Sequence, residues 1–215
     1  RDVMPALATL PTITKTADWL STIVTWKQRY PVCTAAYRDE QAVNPYVMVD
    51  VLSDVLPAPC HVVIDTGCSI AWMMQGFRVK PGQRLFHDFN NTAMGWALPA
   101  AVGASFADPA TPVVCVSGDG SLMMNIQEMA TVARHELPIK LVLVNNGGHS
   151  MIQQTQDQWL GSRYLASTVE GGLAFPDFGG VARGFGWESL RIQRNAAEVG
   201  ERQPTFDGGG QVARA

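Results

Sequence analysis

The sequence predicts an α/β fold in which helices cover both faces of a parallel sheet. Short apolar runs alternate along the chain with segments whose apolar residues recur at helical spacing. The runs are apolar throughout rather than at every second position, as expected for strands that are buried on both faces. Of the 215 residues, 47% are hydrophobic and 16% are charged, which excludes a disordered chain and supplies a sizeable core.

The predicted elements follow one another in a regular order after residue 43. Asn44 and Pro45 predict a helix start, because Asn can accept hydrogen bonds from free amides and Pro fits the first turn. Apolar residues then recur at helical spacing as far as Leu56. Continuous apolar runs predict strands at 61–65, 84–87, 112–117, 139–144 and, at one edge of the sheet, 188–192. The segments between them predict helices at 69–75, 95–107, 121–135, 150–160 and 175–185.

Three regions of different character divide the chain. Residues 1–42 are mixed in composition and contain a helical stretch at 16–30, so we expect an arm that leads in from a preceding domain. Residues 43–194 contain the alternating pattern and form the predicted domain. Residues 195–215 show neither an apolar strand nor a helical period and are expected to be an irregular tail. Because the first residue is Arg1 rather than Met, we expect a piece of a longer protein.

Charge and cysteine content narrow the function classes. Sixteen Lys and Arg against 19 Asp and Glu give a net charge of −3, which argues against a nucleic-acid binder. The longest apolar stretch, at 95–107, is interrupted by Pro99 and falls short of the ~18 residues of a membrane span, so we expect no membrane partner. The four cysteines form no CxxC pair, which favours reduced thiols and a cytoplasmic location.

Small polar turns follow three consecutive strong strands, at 66–69, 118–121 and 145–148. Ligands of open parallel sheets bind beyond the carboxyl ends of the strands, so these turns mark the predicted site. Asp119 and Asn146 are 27 positions apart and are separated by one helix and one strand, which places them side by side. Either turn alone would be interpreted as structural, since Asp-Gly and Asn-Gly are common turn sequences.

Asp119 and Asn146 offer a carboxylate and an amide oxygen, which suit Mg²⁺ or Ca²⁺ better than a thiolate-binding metal. One protein charge leaves a divalent cation undersaturated, so a diphosphate is the expected second ligand. Gly120 and Ser121 open the predicted helix at 121–135, whose first amides can bind an anion. The sequence therefore predicts a diphosphate held through a hard cation.

The same residues carry a resemblance to a known family. Gly118-Asp119-Gly120, followed after 24 residues by Asn145-Asn146, resembles the cofactor signature of thiamine-diphosphate-dependent enzymes. The run GDGSLMMNIQEMATVARHELPIKLVLVNNGGHSMIQQTQ is similar to the C-terminal diphosphate-binding domain of the acetolactate synthase group, as are NPYVMVDVLSDVLP, DTGCSIAW and NNTAMGWALPAAVGA. The resemblance covers about residues 40–192 and implies the thiamine-diphosphate-binding fold for the domain at 43–194.

The resemblance implies which residues hold the cofactor, thiamine diphosphate, and its Mg²⁺. The Asp119 carboxylate, the Asn146 side chain and the Gly148 carbonyl would bind the metal. Residues of the first two turns would surround or donate to the diphosphate: Gly67, Cys68, Ser69, Gly118, Gly120 and Ser121.

Four further residues would contact the cofactor's rings. Met94 matches the apolar residue that holds the two rings in a V shape. The carbonyl of Thr92 would accept a hydrogen bond from the 4′-amino group, at a position where the family often has Gly. Met151 and Ile152 would pack beside the thiazolium ring and the substrate, and His149 could face the substrate as well.

The activity that the resemblance implies is that of a lyase or transferase which decarboxylates a 2-oxo acid and joins the product to a carbonyl acceptor. The family's activating Glu belongs to a pyrimidine-binding domain that nothing in this chain matches. That domain would therefore come from the same or another polypeptide, in a homodimer or larger oligomer, and no catalytic residue is assigned here. A flavin, FAD, in the parent protein stays open.

The chain departs from the acetolactate synthase pattern at one position, and three alternative functions are weighed. Thr155 stands where acetolactate synthases have a tryptophan that shapes the second-substrate pocket, so a larger acceptor becomes possible, and carboligation and simple decarboxylation both stay open. The chain could instead be the catalytic subunit of a split decarboxylase or an inactive fragment. A nucleotide-binding domain is disfavoured because no GxxxxGK[ST] or GxGxxG loop is present.

Overall fold

A computed structural model describes residues 17–192 of the chain. Within that range, four parallel strands form one sheet in the order β2-β1-β3-β4. The strands are β1 Cys60–Ile64, β2 Gln83–His87, β3 Val113–Gly118 and β4 Ile139–Val144. The α/β fold with a parallel sheet, predicted from the alternation of apolar runs and helical segments, is confirmed.

The register of the sheet aligns the carboxyl ends of its central strands. Ile64 lies opposite Val116, and Gly118 lies opposite Val144. The backbone amide of Asp65 then donates to the carbonyl of Val116 at 2.8 Å, which continues the pairing one residue past β1. The turns that follow β1, β3 and β4 therefore emerge at the same edge of the sheet, as the sequence predicted.

Helices connect the strands and cover the sheet. In chain order they are α1 Ala17–Arg29, α2 Pro45–Val55, α3 Cys68–Gly76, α4 Ala97–Ala107, α5 Asp119–Leu122, α6 Glu128–Arg134, α7 Ser150–Trp159 and α8 Phe178–Gly184, with a 3-10 turn at Ala35–Asp39. Helix α2 begins as predicted, because the Asn44 side chain accepts a hydrogen bond from the Tyr46 amide at 2.9 Å.

Two apolar layers cover the two faces of the sheet. On one face, Val63 and Cys115 pack with Ala97 and Ala101 of α4 and with Met129 of α6. On the other face, Val62, Ile64, Leu85 and Val114 of the sheet pack with Val49 of α2 and Met73 of α3. Strands β1 and β3 are buried along almost their whole length, which explains why their sequences are continuously apolar.

The single helix predicted at 121–135 is wrong. The chain forms two short helices, α5 and α6, joined by a turn at 123–127. The amides of Met124 and Asn125 donate to carbonyls only three residues back, at 3.1 and 3.2 Å. The Asn125 side chain leaves the helix path and donates to the carbonyl of Gly95 at 2.9 Å. A contact with a distant loop therefore overrides the helical periodicity.

The edge strand predicted at 188–192 is also wrong, because those residues are irregular and β4 pairs only with β3 within residues 17–192. The Trp187 ring donates to the carbonyl of Met129 at 3.0 Å, and Gly186 turns the chain at a φ of +81°. The helix predicted at 175–185 begins at Phe178, since Asp177 caps it by accepting from the Gly179 amide at 3.1 Å.

The arm predicted at 1–42 contains the expected helix, α1, which has no buried residue. Residues 1–16 and the predicted tail at 195–215 lie outside the described range, so the domain limits at 42, 43–194 and 195 stay predictions. Among the helices of residues 17–192, none is long and apolar enough to cross a membrane.

Candidate cofactor and metal site

The turn after β3 and the turn after β4 meet at the carboxylate of Asp119. One carboxylate oxygen accepts the amide of Gly120 at 2.6 Å, and the other accepts the amides of Asn146 and Gly147 at 3.1 and 2.7 Å. The Asp119 residue is only 2% exposed, so these contacts replace water around a buried carboxylate. The sequence interpretation required these two turns to be neighbours, and the structure brings them together.

The other two predicted metal ligands lie on the same loop. Asn146 is exposed, and its side-chain nitrogen donates to the Ser150 hydroxyl, while Gly148 is buried two residues further on. Within residues 17–192, no cluster of three or more His, Cys, Asp or Glu side chains exists that could hold a metal. The donors available at this loop are one carboxylate, one amide oxygen and one backbone carbonyl, which fit a hard cation such as Mg²⁺.

Gly120 is closely surrounded by the side chains of His149 and Met94. A Cβ built on Gly120 would lie 2.2 Å from Cε1 of His149 and 3.3 Å from the terminal methyl carbon of Met94. The His149 ring also makes an edge-to-face contact with Phe175, at 6.5 Å between ring centroids. The predicted cofactor residues Gly120 and Met94 are therefore neighbours, and His149 lies against both the turn and Phe175.

The turn after β1 places the predicted residues Gly67, Cys68 and Ser69 at the start of α3. Gly67 has a φ of +85°, a conformation that favours glycine, and it precedes the first residue of the helix. Ser69 is buried and Cys68 is half-buried. Burial raises the pKa of the Cys68 thiol, so this side chain adds no negative charge to a turn that is predicted to face an anion.

The anion site predicted at the start of a long helix must be corrected. Helix α5 has only four residues and begins at Asp119 itself, because the helical path breaks after Leu122. A helix of this length has little macrodipole, so any anion at Gly118, Gly120 and Ser121 would depend on individual N–H and O–H donors. Ser121 is 5% exposed, and the turn around it is almost fully enclosed.

The residues predicted to contact the cofactor's rings lie on the surface around these turns. Met94, Met151 and Ile152 are 39%, 45% and 50% exposed. Thr92 has a φ of +50°, and its amide donates to the carbonyl of Asp88 at 2.9 Å.

Asp65 is a site-supporting residue that the sequence interpretation missed. Its carboxylate accepts from the amides of Gly95 and Ala97 at 3.1 and 3.2 Å and from the Ser117 hydroxyl at 3.1 Å. It thereby joins the end of β1, the loop that carries Met94, and the end of β3. Burial raises the pKa of Asp65, partly offset by these donors. A charged residue that ends an apolar strand was the available signal.

Comparison with known proteins agrees with this geometry. The family described as thiamine pyrophosphate enzyme, C-terminal TPP binding domain, matches residues 65–205. The acetolactate synthase large subunit of Parasynechococcus marenigrum (strain WH8102) is 39% identical over 178 residues, which cover 83% of this chain and 28% of that protein.

Two further relatives show the same partial coverage. The acetolactate synthase large subunit of Pyropia yezoensis is 34% identical over 195 residues, or 91% of this chain and 32% of that protein. The acetolactate synthase isozyme 2 large subunit of Escherichia coli (strain K12) is 39% identical over 153 residues, or 71% of this chain and 27% of that protein. The chain thus spans about a third or less of the length of these relatives.

Proposed function

Because this chain belongs to the thiamine pyrophosphate enzymes and carries their C-terminal cofactor-binding domain, we propose that it binds thiamine diphosphate through Mg²⁺ at the turns after β1, β3 and β4. We further propose that it is the cofactor-binding part of a 2-oxo acid decarboxylase or carboligase that resembles acetolactate synthase. The observation that carries the metal proposal is the contact of the Asp119 carboxylate with the amides of Asn146 and Gly147.

The proposed metal ligands are the Asp119 carboxylate, the Asn146 side-chain oxygen and the Gly148 carbonyl. The Asp119 carboxylate accepts the Gly120 amide on one oxygen and the Asn146 and Gly147 amides on the other, so these three bonds hold it at the point where the turns after β3 and β4 meet. Its low exposure strengthens the attraction for a cation, because water does not screen it. The remaining positions on the metal would go to diphosphate oxygens and water.

Other residues of the chain would bind and orient the cofactor. Gly120 would lie against the diphosphate, and its lack of a side chain is what lets the His149 ring pack against this turn, since a built Cβ would lie 2.2 Å from Cε1 of His149. Met94, which reaches the same turn, would support the cofactor between its rings, and the Thr92 carbonyl would orient the amino group. Once bound, thiamine diphosphate supplies the electron sink that the decarboxylation of a 2-oxo acid requires.

The reaction would need groups beyond these residues. We propose that a pyrimidine-binding domain of the same or another chain supplies the activating Glu, in a homodimer or larger assembly. The small side chain of Thr155, which is exposed and donates to the Met151 carbonyl at 3.1 Å, favours a carbonyl acceptor larger than that of acetolactate synthase. Four free cysteines favour a reducing compartment such as the cytoplasm, and no observation here favours a flavin.

Calorimetric titration of the full-length protein with thiamine diphosphate, with and without Mg²⁺, tests the proposal. We expect binding that requires Mg²⁺, and an affinity at least about 100-fold weaker in Asp119→Ala, because the metal loses its charged ligand. Asp39→Ala is the matched control, since Asp39 is exposed and lies in the 3-10 turn far along the chain from the site. Equal Mg²⁺-dependent affinity in Asp119→Ala and the unsubstituted protein would refute the assignment.

A further inference from the structure

The segment after α7 returns to the loop that carries Gly148. Residues 160–173, which we name the return loop, have no helix or strand of their own. Thr168 forms an antiparallel bridge with Gly148, and the His149 amide donates to the Ser167 carbonyl at 2.9 Å. The return loop is therefore bonded to the predicted metal loop through backbone atoms.

Ser167 is buried in an otherwise exposed loop. It has 0% exposure, whereas Leu165 and Val169 on either side are 76% and 53% exposed. Its hydroxyl donates to the Gln156 side-chain oxygen, and the Gln156 nitrogen donates to the Leu165 carbonyl at 3.0 Å. Gln156 is itself only 6% exposed, so a buried polar pair attaches the return loop to α7.

A second glutamine of α7 completes the arrangement. The side-chain nitrogen of Gln153 donates to the Ser167 carbonyl at 2.7 Å, and this is the same carbonyl that accepts the His149 amide. A Cβ built on Gly148 would lie 2.5 Å from the Gln153 nitrogen and 2.6 Å from the Ser167 carbonyl oxygen. Gly148 is therefore required here by the close approach of the return loop.

Peptide geometry gives this arrangement a consequence for the metal loop. The Gly148 carbonyl and the His149 N–H belong to one planar trans peptide group, so they point in opposite directions. Holding the N–H on the Ser167 carbonyl thus fixes the direction of the Gly148 carbonyl. A metal ligand gains affinity when surrounding groups hold it in its binding orientation.

We propose that Ser167, Gln156 and Gln153 are positioning residues that orient the Gly148 carbonyl toward the bound cation. This inference rests on the proposed function, in which Gly148 is a metal ligand. The buried hydroxyl of Ser167 fixes the return loop against α7 by its bond to Gln156. Gln153 then holds the Ser167 carbonyl in position to accept the His149 amide. In this proposal all three residues act through the Gly148 carbonyl and none is a ligand of the cation.

The test measures the Mg²⁺ concentration at half-saturation for thiamine diphosphate binding in the full-length protein. Ser167→Ala and Gln153→Met are each expected to raise it about tenfold, as is typical when a group that supports a metal ligand is removed. Ser53→Ala is the matched control. Ser53 is also buried, at 1% exposure, its hydroxyl donates to the Val49 carbonyl at 2.7 Å, and it lies on α2, which carries none of the proposed ligands. It should lower thermal stability without changing the Mg²⁺ requirement.

Hydrogen exchange of the His149 amide gives a second readout that does not depend on cofactor binding. Gln153→Met, which removes a half-buried donor and should fold, is expected to speed this exchange, because the Ser167 carbonyl loses its second contact. If the unsubstituted protein shows no Mg²⁺-dependent binding, the proposed function fails and this inference with it. If it binds normally and neither variant changes the Mg²⁺ half-saturation, only the positioning role is overturned.

Discussion

Thr92 has a backbone conformation that its side chain disfavours. Its φ of +50° lies in the left-handed region, where a β-branched residue is a rare outlier. Strain of this kind costs about 1–3 kcal/mol and persists only where surrounding contacts impose it. Here the imposing contacts include the bond from the Thr92 amide to the Asp88 carbonyl and the anchoring of Gly95 on Asp65.

We therefore expect Thr92→Gly to raise the free energy of unfolding by ~1 kcal/mol, since relief of strain exceeds the entropy that glycine adds to the unfolded chain. Thr34→Gly is the control, because Thr34 has a φ of −86° and gains nothing from glycine. That control should lose stability. Urea unfolding of both variants checks the prediction, and a loss of stability in Thr92→Gly would show that the loop is not strained at this position.

At the scale of the elements, the loop that carries Met94 packs against the break between α5 and α6. Gly95 has a φ of +84°, and a Cβ built there would lie 2.6 Å from the Cβ of Met124 and 3.1 Å from the Ser121 carbonyl oxygen. Gly103, in the middle of α4, has a helical conformation and no atom within 4 Å of a built Cβ. A side chain added at Gly95 would therefore clash, whereas one added at Gly103 would not, so the two substitutions should change stability in opposite directions.

Gly95→Ala is expected to lower the free energy of unfolding by about 2 kcal/mol or more, because both the backbone and the packing resist a side chain. Gly103→Ala should raise it by about 0.5–1 kcal/mol through helix propensity. Thermal or urea denaturation measures both. Equal stability of the two variants would mean that the loop and the helix break are not packed as described.

A cluster of ions joins the 3-10 turn, α2 and the segment after α3. The Asp50 carboxylate pairs with both Arg38 and Arg78, and Arg78 also reaches Asp54 at 2.6 Å. The hydrogen bond from Arg78 and the positive charges of Arg78 and Arg38 hold the pKa of Asp50 below its usual value of 3.8. The ion pairs therefore stabilise the folded protein at pH values above the pKa that Asp50 has in the unfolded chain. This stabilisation is lost as the pH falls through the lower pKa that Asp50 has in the folded protein.

Asp50→Asn is expected to lower the free energy of unfolding by about 1 kcal/mol at neutral pH, a small effect because both arginines are half-exposed to water. The difference from the unsubstituted protein should shrink below about pH 4, where the carboxyl protonates in the unfolded state and then in the folded state. Asp39→Asn, at an exposed site, should show no such dependence. A difference that stays constant from pH 7 to acid would contradict the ion pairs.

The sequence was sufficient where local patterns agree with tertiary packing. Strand β4 was predicted at its observed limits, Ile139–Val144, and the other three strands within one residue, because buried parallel strands have continuous apolar runs. The predictions of one helix at 121–135 and of a strand at 188–192 were wrong for another reason. Asn125 bonds to Gly95 and Trp187 bonds to Met129, and contacts between residues 30 and 58 positions apart leave no trace in local periodicity.

For the whole molecule, strand order explains which parts of the site were foreseeable. The neighbouring positions of Asp119 and Asn146 follow from one crossover between adjacent parallel strands, because such a connection brings the carboxyl ends of both strands to the same edge of the sheet. The contacts of Asp65 and Ser167 could not be predicted in this way, because each depends on a side chain that reaches another loop. The resemblance to a family implied which residues would be ligands but not which groups would hold them in place.

The central claim is that a hard cation binds between the Asp119 carboxylate and the loop at 145–148. A crystal structure of the full-length protein with thiamine diphosphate and Mn²⁺ in place of Mg²⁺ tests it directly, because anomalous scattering locates the metal. We predict one metal peak in contact with the Asp119 carboxylate, the Asn146 side-chain oxygen and the Gly148 carbonyl. A bound cofactor whose metal lies on other residues, or a cofactor bound with no metal at this loop, would contradict the claim.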